Sequence, residues 1–571
     1  MNLPDSLVYF QIMKEQDTMP GVRSIRCTRY WISSWINRST IDTLIAAFIF
    51  PFVYLVTPNQ CLAPADQFVV GKWFCQIIIT TTAEAITTQE SDLEGPAAED
   101  SGFGPVVEDN YQPTQPEDAE EPEGTDQPED ADQPESAEEP EGADQHESAG
   151  QQAQPQQVAP AAAPAASTPK NDKGNGFWGN TITVINNFAD KVLNLTLKDV
   201  KIDVSDTGKD TGNPWNSDEG KAALSVQGKG NVEIELDGDN ELKSGFNRAG
   251  LEKTDFTFIG TPSTGMLTLK DDNQKAGSLK ATGGQFGAGI GGAENGNGKD
   301  ITIKGGTVTA TGGEFAAGIG GGFGGSGENI TINGGTVTAD GNDWAAGIGG
   351  GKEREGENIT ITGGTVNAAG GIGGGTGGNG KNITITGGTV TATNKEGGAG
   401  IGGGIMGNGE DITITGGTVN AAGGDYAAGI GGGNSGSGKN ITITGGTVTA
   451  KGGVLGAGIG GGVVGSGTNI TITGGTVTAS GCAGAGIGGG INGSGSNVTV
   501  SGAAQVTATA TDIGPDWSGA ATGATIGGGG SNTVDSDGNP VSIPGTEIQA
   551  DISGLTTGYI HHIIYEQDGT T

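Results

Sequence analysis

The chain has 571 residues, 113 of them glycine, only 16% charged, with a formal net charge of −38. Glycine at this level without every-third spacing excludes collagen and a conventional globular core over most of the length, which leaves disorder or a repeat architecture. The acidic balance argues against nucleic acid or an anionic membrane surface as partner, because both need a clustered basic face.

Residues 1–65 read as an export signal or N-terminal anchor. Arg23, Arg26, Arg29 and Arg38 precede an apolar run from Leu44 to Val56, and Cys61-Leu-Ala-Pro-Ala65 offers small residues for cleavage. Positive flank, short apolar stretch and small-residue exit are the parts of such a signal. The run falls short of the roughly 20 residues that span a bilayer, and Pro51 interrupts it. A start codon nearer Met13 or Met19 is the plain alternative. The expected location is secreted or cell-surface, with membrane contact confined to this segment. The four cysteines, Cys27, Cys61, Cys75 and Cys482, are too few and scattered for a disulfide framework or metal site. A Cys61–Cys75 pairing stays open if both are exported.

Residues 66–170 read as a disordered acidic, Pro-rich linker. No Lys or Arg occurs between Lys72 and Lys170, and Gln115-Pro-Glu-Asp-Ala-Glu-Glu-Pro-Glu-Gly is nearly repeated from Gln133. Too little apolar surface is present to offset ordering entropy, and like charges extend the chain. From Thr181 the pattern becomes strand-like: Thr181–Ile185, Leu193–Leu197, Val200–Val204 and Val232–Gly238 alternate apolar and polar residues.

Regularity then sets in. The unit Asn-Ile-Thr-Ile-Thr-Gly-Gly-Thr-Val-Thr-Ala, closing on Ala-Gly-Ile-Gly-Gly-Gly, places its first Ile at 301, 330, 359, 383, 412, 441 and 470, with Val498 last. The intervals are 29, 29, 24, 29, 29, 29 and 28 residues. A fixed period in this range signals a solenoid. No stretch shows helical periodicity, and Gly with β-branched Ile, Val and Thr disfavours helix. In each unit two isoleucines (Ile330, Ile332), one valine (Val337) and a third-arm isoleucine (Ile348) face inward, with Gly334-Gly335 making a bend.

The predicted fold for residues 171–545 is therefore all-β: a single-stranded right-handed parallel β-helix, three short arms per coil of about 29 residues. Residues 546–571 read as a C-terminal cap or truncated continuation. Coils must stack at strand spacing, roughly 4.7–4.9 Å, to cover their apolar edges. Ile332, Ile361, Ile385, Ile414, Ile443 and Ile472 should then form one ladder. Each buried aliphatic contributes roughly 1.5–3 kcal/mol, set against the entropy cost of a glycine-rich backbone. The short unit from Ile359 lacks the loop before Ala-Gly-Ile, so its turn should tighten while its arms persist.

The unit, preceded by Asn231-Val-Glu-Ile-Glu-Leu-Asp-Gly and Ala249-Gly-Leu, resembles the Gly-rich parallel β-helix repeats of adhesin-like or carbohydrate-binding-domain cell-surface proteins of gut bacteria. The resemblance covers roughly residues 180–530. It implies a non-catalytic surface protein with glycans or host surface proteins as partners. A Leu-Pro-x-Thr-Gly sorting signal is not found near Tyr565-Glu-Gln-Asp-Gly-Thr-Thr.

Right-handed β-helices also include pectate lyases and polygalacturonases, which need clustered Asp, an assisting base and often calcium or His. Acids here are spread thinly along the repeats, and the histidines are His146, His561 and His562. Adjacent side chains on a strand point to opposite faces, so His561 and His562 make a poor metal pair. No catalytic residue, cofactor or metal is expected. Gly456-Ala-Gly-Ile-Gly-Gly461 matches a dinucleotide string but recurs in most units with no helix after it. The Gly-Gly-x-Gly-x-Asp calcium repeat does not occur.

One constellation suggests binding. Two residues before Ala-Gly-Ile stand Phe286, Phe315, Trp344, Tyr426 and Leu455 in successive full units, with Gly397 and Ala483 as exceptions. Glu314, Asp343, Glu396 and Asp425 immediately precede that position. Aromatic faces beside carboxylates suit sugar rings and their hydroxyls; an internal stack or corner clamp is the plain alternative. Paired threonines such as Thr384/Thr386 and Thr389/Thr391 form outward ladders resembling ice-binding solenoids, although solvated threonine with good strand propensity explains them as well. Asn367 and Asn420 interrupt one array. The expected function is adhesion or carbohydrate binding through a β-helix face. The alternatives are a structural spacer, an ice-binding solenoid and an inactive relative of pectin lyase-like enzymes.

Overall fold

A computed structural model describes residues 172–565 except 175, 210–218, 256–262, 274, 343, 512–520 and 538, together with 7–10, 67–70 and 77–82. The export signal, the Cys61–Cys75 pairing and most of the acidic linker lie outside the described residues, as does Asp343.

Each coil has three arms. In one, Gly438–Ile443 is followed by the Gly445-Gly446 bend, then Thr447–Lys451, a loop, and Ile459–Gly460. Ile441, Ile443, Val448 and Ile459 are the inward aliphatics, and all are buried. Ala450, two residues after Val448, is also fully buried, so five side chains per coil fill the interior. The coils stack in parallel register, with Ile332 beside Ile361, then Ile385, Ile414, Ile443 and Ile472. This is the expected ladder. Second arms pair likewise (Val419 with Val448), as do third arms (Ile430 with Ile459). Three parallel sheets thus enclose one continuous core.

The 24-residue coil keeps all three arms at Gly356–Ile361, Thr365–Ala369 and Ile372–Gly373. Only Gly370 and Gly371 link the second arm to the third. The tightened turn is as expected, and it removes an entire loop from one corner.

An asparagine ladder holds another corner. Lys439 pairs with Thr468 and Ile441 with Ile470, while Asn440 and Asn469 drop out of the pairing at φ 56. Asn tolerates this left-handed conformation better than other side-chain-bearing residues. Asn440 Nδ2 donates to Asp411 Oδ1 (2.9 Å), Asn469 to Asn440 (3.0 Å) and Asn497 to Asn469 (3.0 Å). A second run climbs from Asp300 through Asn329 and Asn358 to Asn382. Aspartate, which cannot donate when ionised, begins each run and serves as acceptor.

The first coils depart from the repeat. Glu252 and Lys253 follow Leu251, and Glu252 pairs in register with Gly291 of the next coil. Both charged side chains are buried. Arg248 grips Glu252 with Nη2 to Oε1 at 2.5 Å and Nε to Oε2 at 2.8 Å, and its Nη1 lies 3.4 Å from Glu219. Burial pushes the Glu252 carboxyl above its ordinary range, and Arg248 opposes that shift. Burial likewise lowers the Lys253 ammonium to about 8, against the pull of Asp300 and Asp255.

Two segments that the sequence reading assigns to the linker carry strand pairing. Gln67–Val70 runs parallel to Val192–Lys198, and Ile77–Thr82 runs parallel to Ile182–Asn186. Both are short β-branched or aromatic runs, which favour strand. Stacking also continues beyond residue 545: Tyr559–Tyr565 lies parallel to Gln505–Thr511. His561 and His562 point apart there. His561 stacks on Tyr559 (4.3 Å between centroids), whereas His562 Nδ1 lies 2.5 Å from Thr525 Oγ1. Thr525 also donates to Glu547, so this trio ties the last strand to the coil below.

Candidate functional site

The aromatic column lies on the outside of the corner before the third arm, and it divides into two kinds of residue. Phe286 and Phe315 stack on each other at 5.9 Å and 12°. Phe246 meets Phe286 edge-on, and Phe323 tilts against both Phe286 and Phe315. All four are half-buried. They pack on one another as an internal stack.

Trp344 and Tyr426 behave differently. They stand 40% and 38% exposed. Lys352 places its ammonium 4.6 Å from the Phe315 ring centroid and 5.7 Å from that of Trp344, which ends the phenylalanine cluster. Beyond it, no aromatic stands on the column for two coils, because the 24-residue coil has no loop there and the next carries Gly397.

A second column flanks the first, one coil further on: Phe323, Lys352, Thr376, Ile405, Asn434, Val463 and Ile491. Its backbone hydrogen bonds set the offset. Phe323 N–H donates to Phe286 C=O, Lys352 to Phe315, Thr376 to Trp344, and Val463 to Tyr426, all at 2.9 Å. Where the aromatic column is missing, half-buried Thr376 and Ile405 line the surface. A shallow notch results, with Trp344 at one end, a floor of Gly374, Gly375 and Gly404 backbone, and Glu396 on its rim. Tyr426 closes the other end: Ile405 Cγ1 and Tyr426 Cδ2 come within 3.6 and 3.8 Å of where a side chain on Gly397 would begin.

Asn394 holds this rim in place. Its Nδ2 donates to Gly370 C=O of the short coil (2.9 Å), and its Oδ1 accepts from Glu396 and Gly398 N–H (3.0 Å each). The predicted carboxylates do not converge. Glu314 is exposed and accepts from Gln285 Nε2 at 3.0 Å beside the phenylalanine cluster. Asp425 is exposed next to Tyr426, and Glu396 reaches the notch.

The threonine columns face outward as expected. Thr384, Thr413, Thr442 and Thr471 follow one another in register in one sheet, and Thr389, Thr418, Thr447 and Thr476 in the next. Asn367 and Asn420 interrupt a neighbouring column. Among the described residues, no three His, Cys, Asp or Glu side chains gather as metal ligands. Cys482 is a half-buried thiol that accepts from Thr511 Oγ1 at 3.0 Å.

Sequence reasoning missed Thr376, Ile405, Asn394, Lys352 and Phe323. Their signal was present in the 24-residue interval and in Gly397, but only the offset between coils turns those two irregularities into one gap.

A family profile described as beta helix repeat matches residues 275–294, 301–323, 330–352, 383–405, 412–434, 441–463 and 470–491. The unmatched interval in the middle of this series, 353–382, holds most of the short coil. No curated protein and no solved structure matches the chain.

Proposed function

This chain is a β-helix repeat protein, and we propose that it works without catalysis, as a secreted or cell-surface protein that binds carbohydrate or adheres through one edge of the solenoid. The observation that carries this reading is the exposure of Trp344 and Tyr426 in loops whose C=O groups accept from Thr376 and Val463 N–H of the next coil. Rigid aromatic faces stack on the apolar faces of sugar rings at little entropy cost, and nearby Glu396 and Asp425 carboxylates accept hydroxyl hydrogen bonds. The phenylalanine cluster, packed on itself and half-buried, offers less face than either.

The test is a glycan array probed with the full chain, followed by affinity measurements on the glycan selected. Trp344→Ala and Tyr426→Ala should each weaken binding about tenfold, the equivalent of about 1.4 kcal/mol. Phe286→Leu should leave it unchanged. A chain that binds no glycan, or binds equally well without either aromatic, contradicts the reading.

A further inference from the structure

We infer that the ligand lies along the solenoid edge in the notch between Trp344 and Tyr426, and that it is a run of several uncharged pyranose rings from within a polysaccharide. The inference rests on the carbohydrate reading above and adds the place and the ligand class.

Four observations support it. First, Trp344 and Tyr426 belong to coils three steps apart, which at strand spacing is roughly 14 Å. One sugar ring cannot touch both aromatics, but a run of rings can. Second, the surface between them is formed by half-buried Thr376 and Ile405 over buried glycine backbone, with no aromatic ring standing on it. The coil before this gap carries Trp344 and the coil after it carries Tyr426; only the two coils between lack a column side chain.

Third, the rim carboxylate of Glu396 makes no ion pair among the described residues, and the Glu396 backbone N–H is fixed by Asn394, whose amide bridges it to Gly370 C=O of the short coil. Asn394 is thus a positioning residue. An unpaired carboxylate accepts from sugar hydroxyls and repels a uronate or sialylated ring. Fourth, the notch is too shallow to enclose a ring, so only the side of a chain can lie against it.

The experiment separates the notch from the aromatics. Thr376→Trp and Ile405→Trp fill the floor while residues 344 and 426 stay unsubstituted. The flanking column already carries Phe323 and Lys352 on equivalent rungs, so bulk is accommodated there. Circular dichroism checks that each variant keeps its sheet content. The probes are neutral hexose oligomers of increasing length, of the linkage the array selects, with polygalacturonate oligomers as the charged counterpart.

Wild-type affinity should rise with ring number and then level off, each filler should weaken binding at least tenfold, and polygalacturonate should not bind. Fillers that bind like wild type while Trp344→Ala fails overturn the notch and leave the aromatic reading standing. Equal affinity for one ring and for several, or preference for polygalacturonate, also overturns it. Binding that persists in every variant, or that follows the peptide of a glycoprotein after its glycans are removed, overturns both.

Discussion

Arg248→Ala should cost the first coils about 3–5 kcal/mol at neutral pH, the usual consequence of stranding one member of a buried ion pair. The guanidinium makes a two-pronged contact with Glu252, which is buried on the third arm where later coils carry glycine. Without it the carboxylate keeps its desolvation cost, with Glu219 nearby as a second negative charge. The pH dependence follows from the direction of the shift. Burial raises the folded Glu252 value, so stability is fully present below the unfolded value of about 4.3 and falls as pH climbs toward the folded one. Removing Arg248 raises the folded value further. The deficit against wild type should therefore be small near pH 4 and full at pH 7. Hydrogen exchange of residues 248–254 at the two pH values measures it. A deficit that grows on acidification would refute the assignment.

Gly431→Ala should be at least as damaging, and for two separable reasons. The residue sits at φ +132, where a side chain costs about 1–3 kcal/mol in backbone strain. A Cβ there would also lie 2.0 Å from Gly460 C=O of the next coil, which is held in register by the ladder. Gly397→Ala isolates the first effect: its φ is +111, but nothing lies nearer than 3.6 Å. Thermal or denaturant unfolding should rank Gly431→Ala well below Gly397→Ala, with the loss concentrated in coils adjoining residue 431, since repeats contact only their neighbours. Equal losses would mean that the coils are not packed so closely at this corner.

How much of this was legible follows from how far each feature reaches along the chain. The Ile ladder was readable because period and alternation are both local, and the third-arm Ile348 was marked by its own repeat string. Ala339 and its equivalents escaped, although they sit two residues after the valine on the same face. The asparagine ladder needed backbone angles that sequence does not display. The aromatic column is legible in the sequence only as a single series. Its division into a phenylalanine stack and an open bracket depends on Phe323 and Lys352, which reach the column only through the one-coil offset. The Arg248–Glu252 pair is not legible because the first coils lack the repeat that marks the others.

The stacking of coils in parallel register underlies every residue assignment here, and disulfide trapping tests it most directly. In a chain with its four native cysteines replaced by serine, Thr384→Cys with Thr413→Cys joins registered partners on adjacent coils. Their Cα atoms should be roughly 4.8 Å apart, within disulfide reach. Thr384→Cys with Thr442→Cys skips a coil, at roughly 10 Å, beyond reach. Rapid oxidation of the first pair and none of the second is the expected result; a second pair that closes as readily, or a first that stays reduced, would contradict the stacked β-helix.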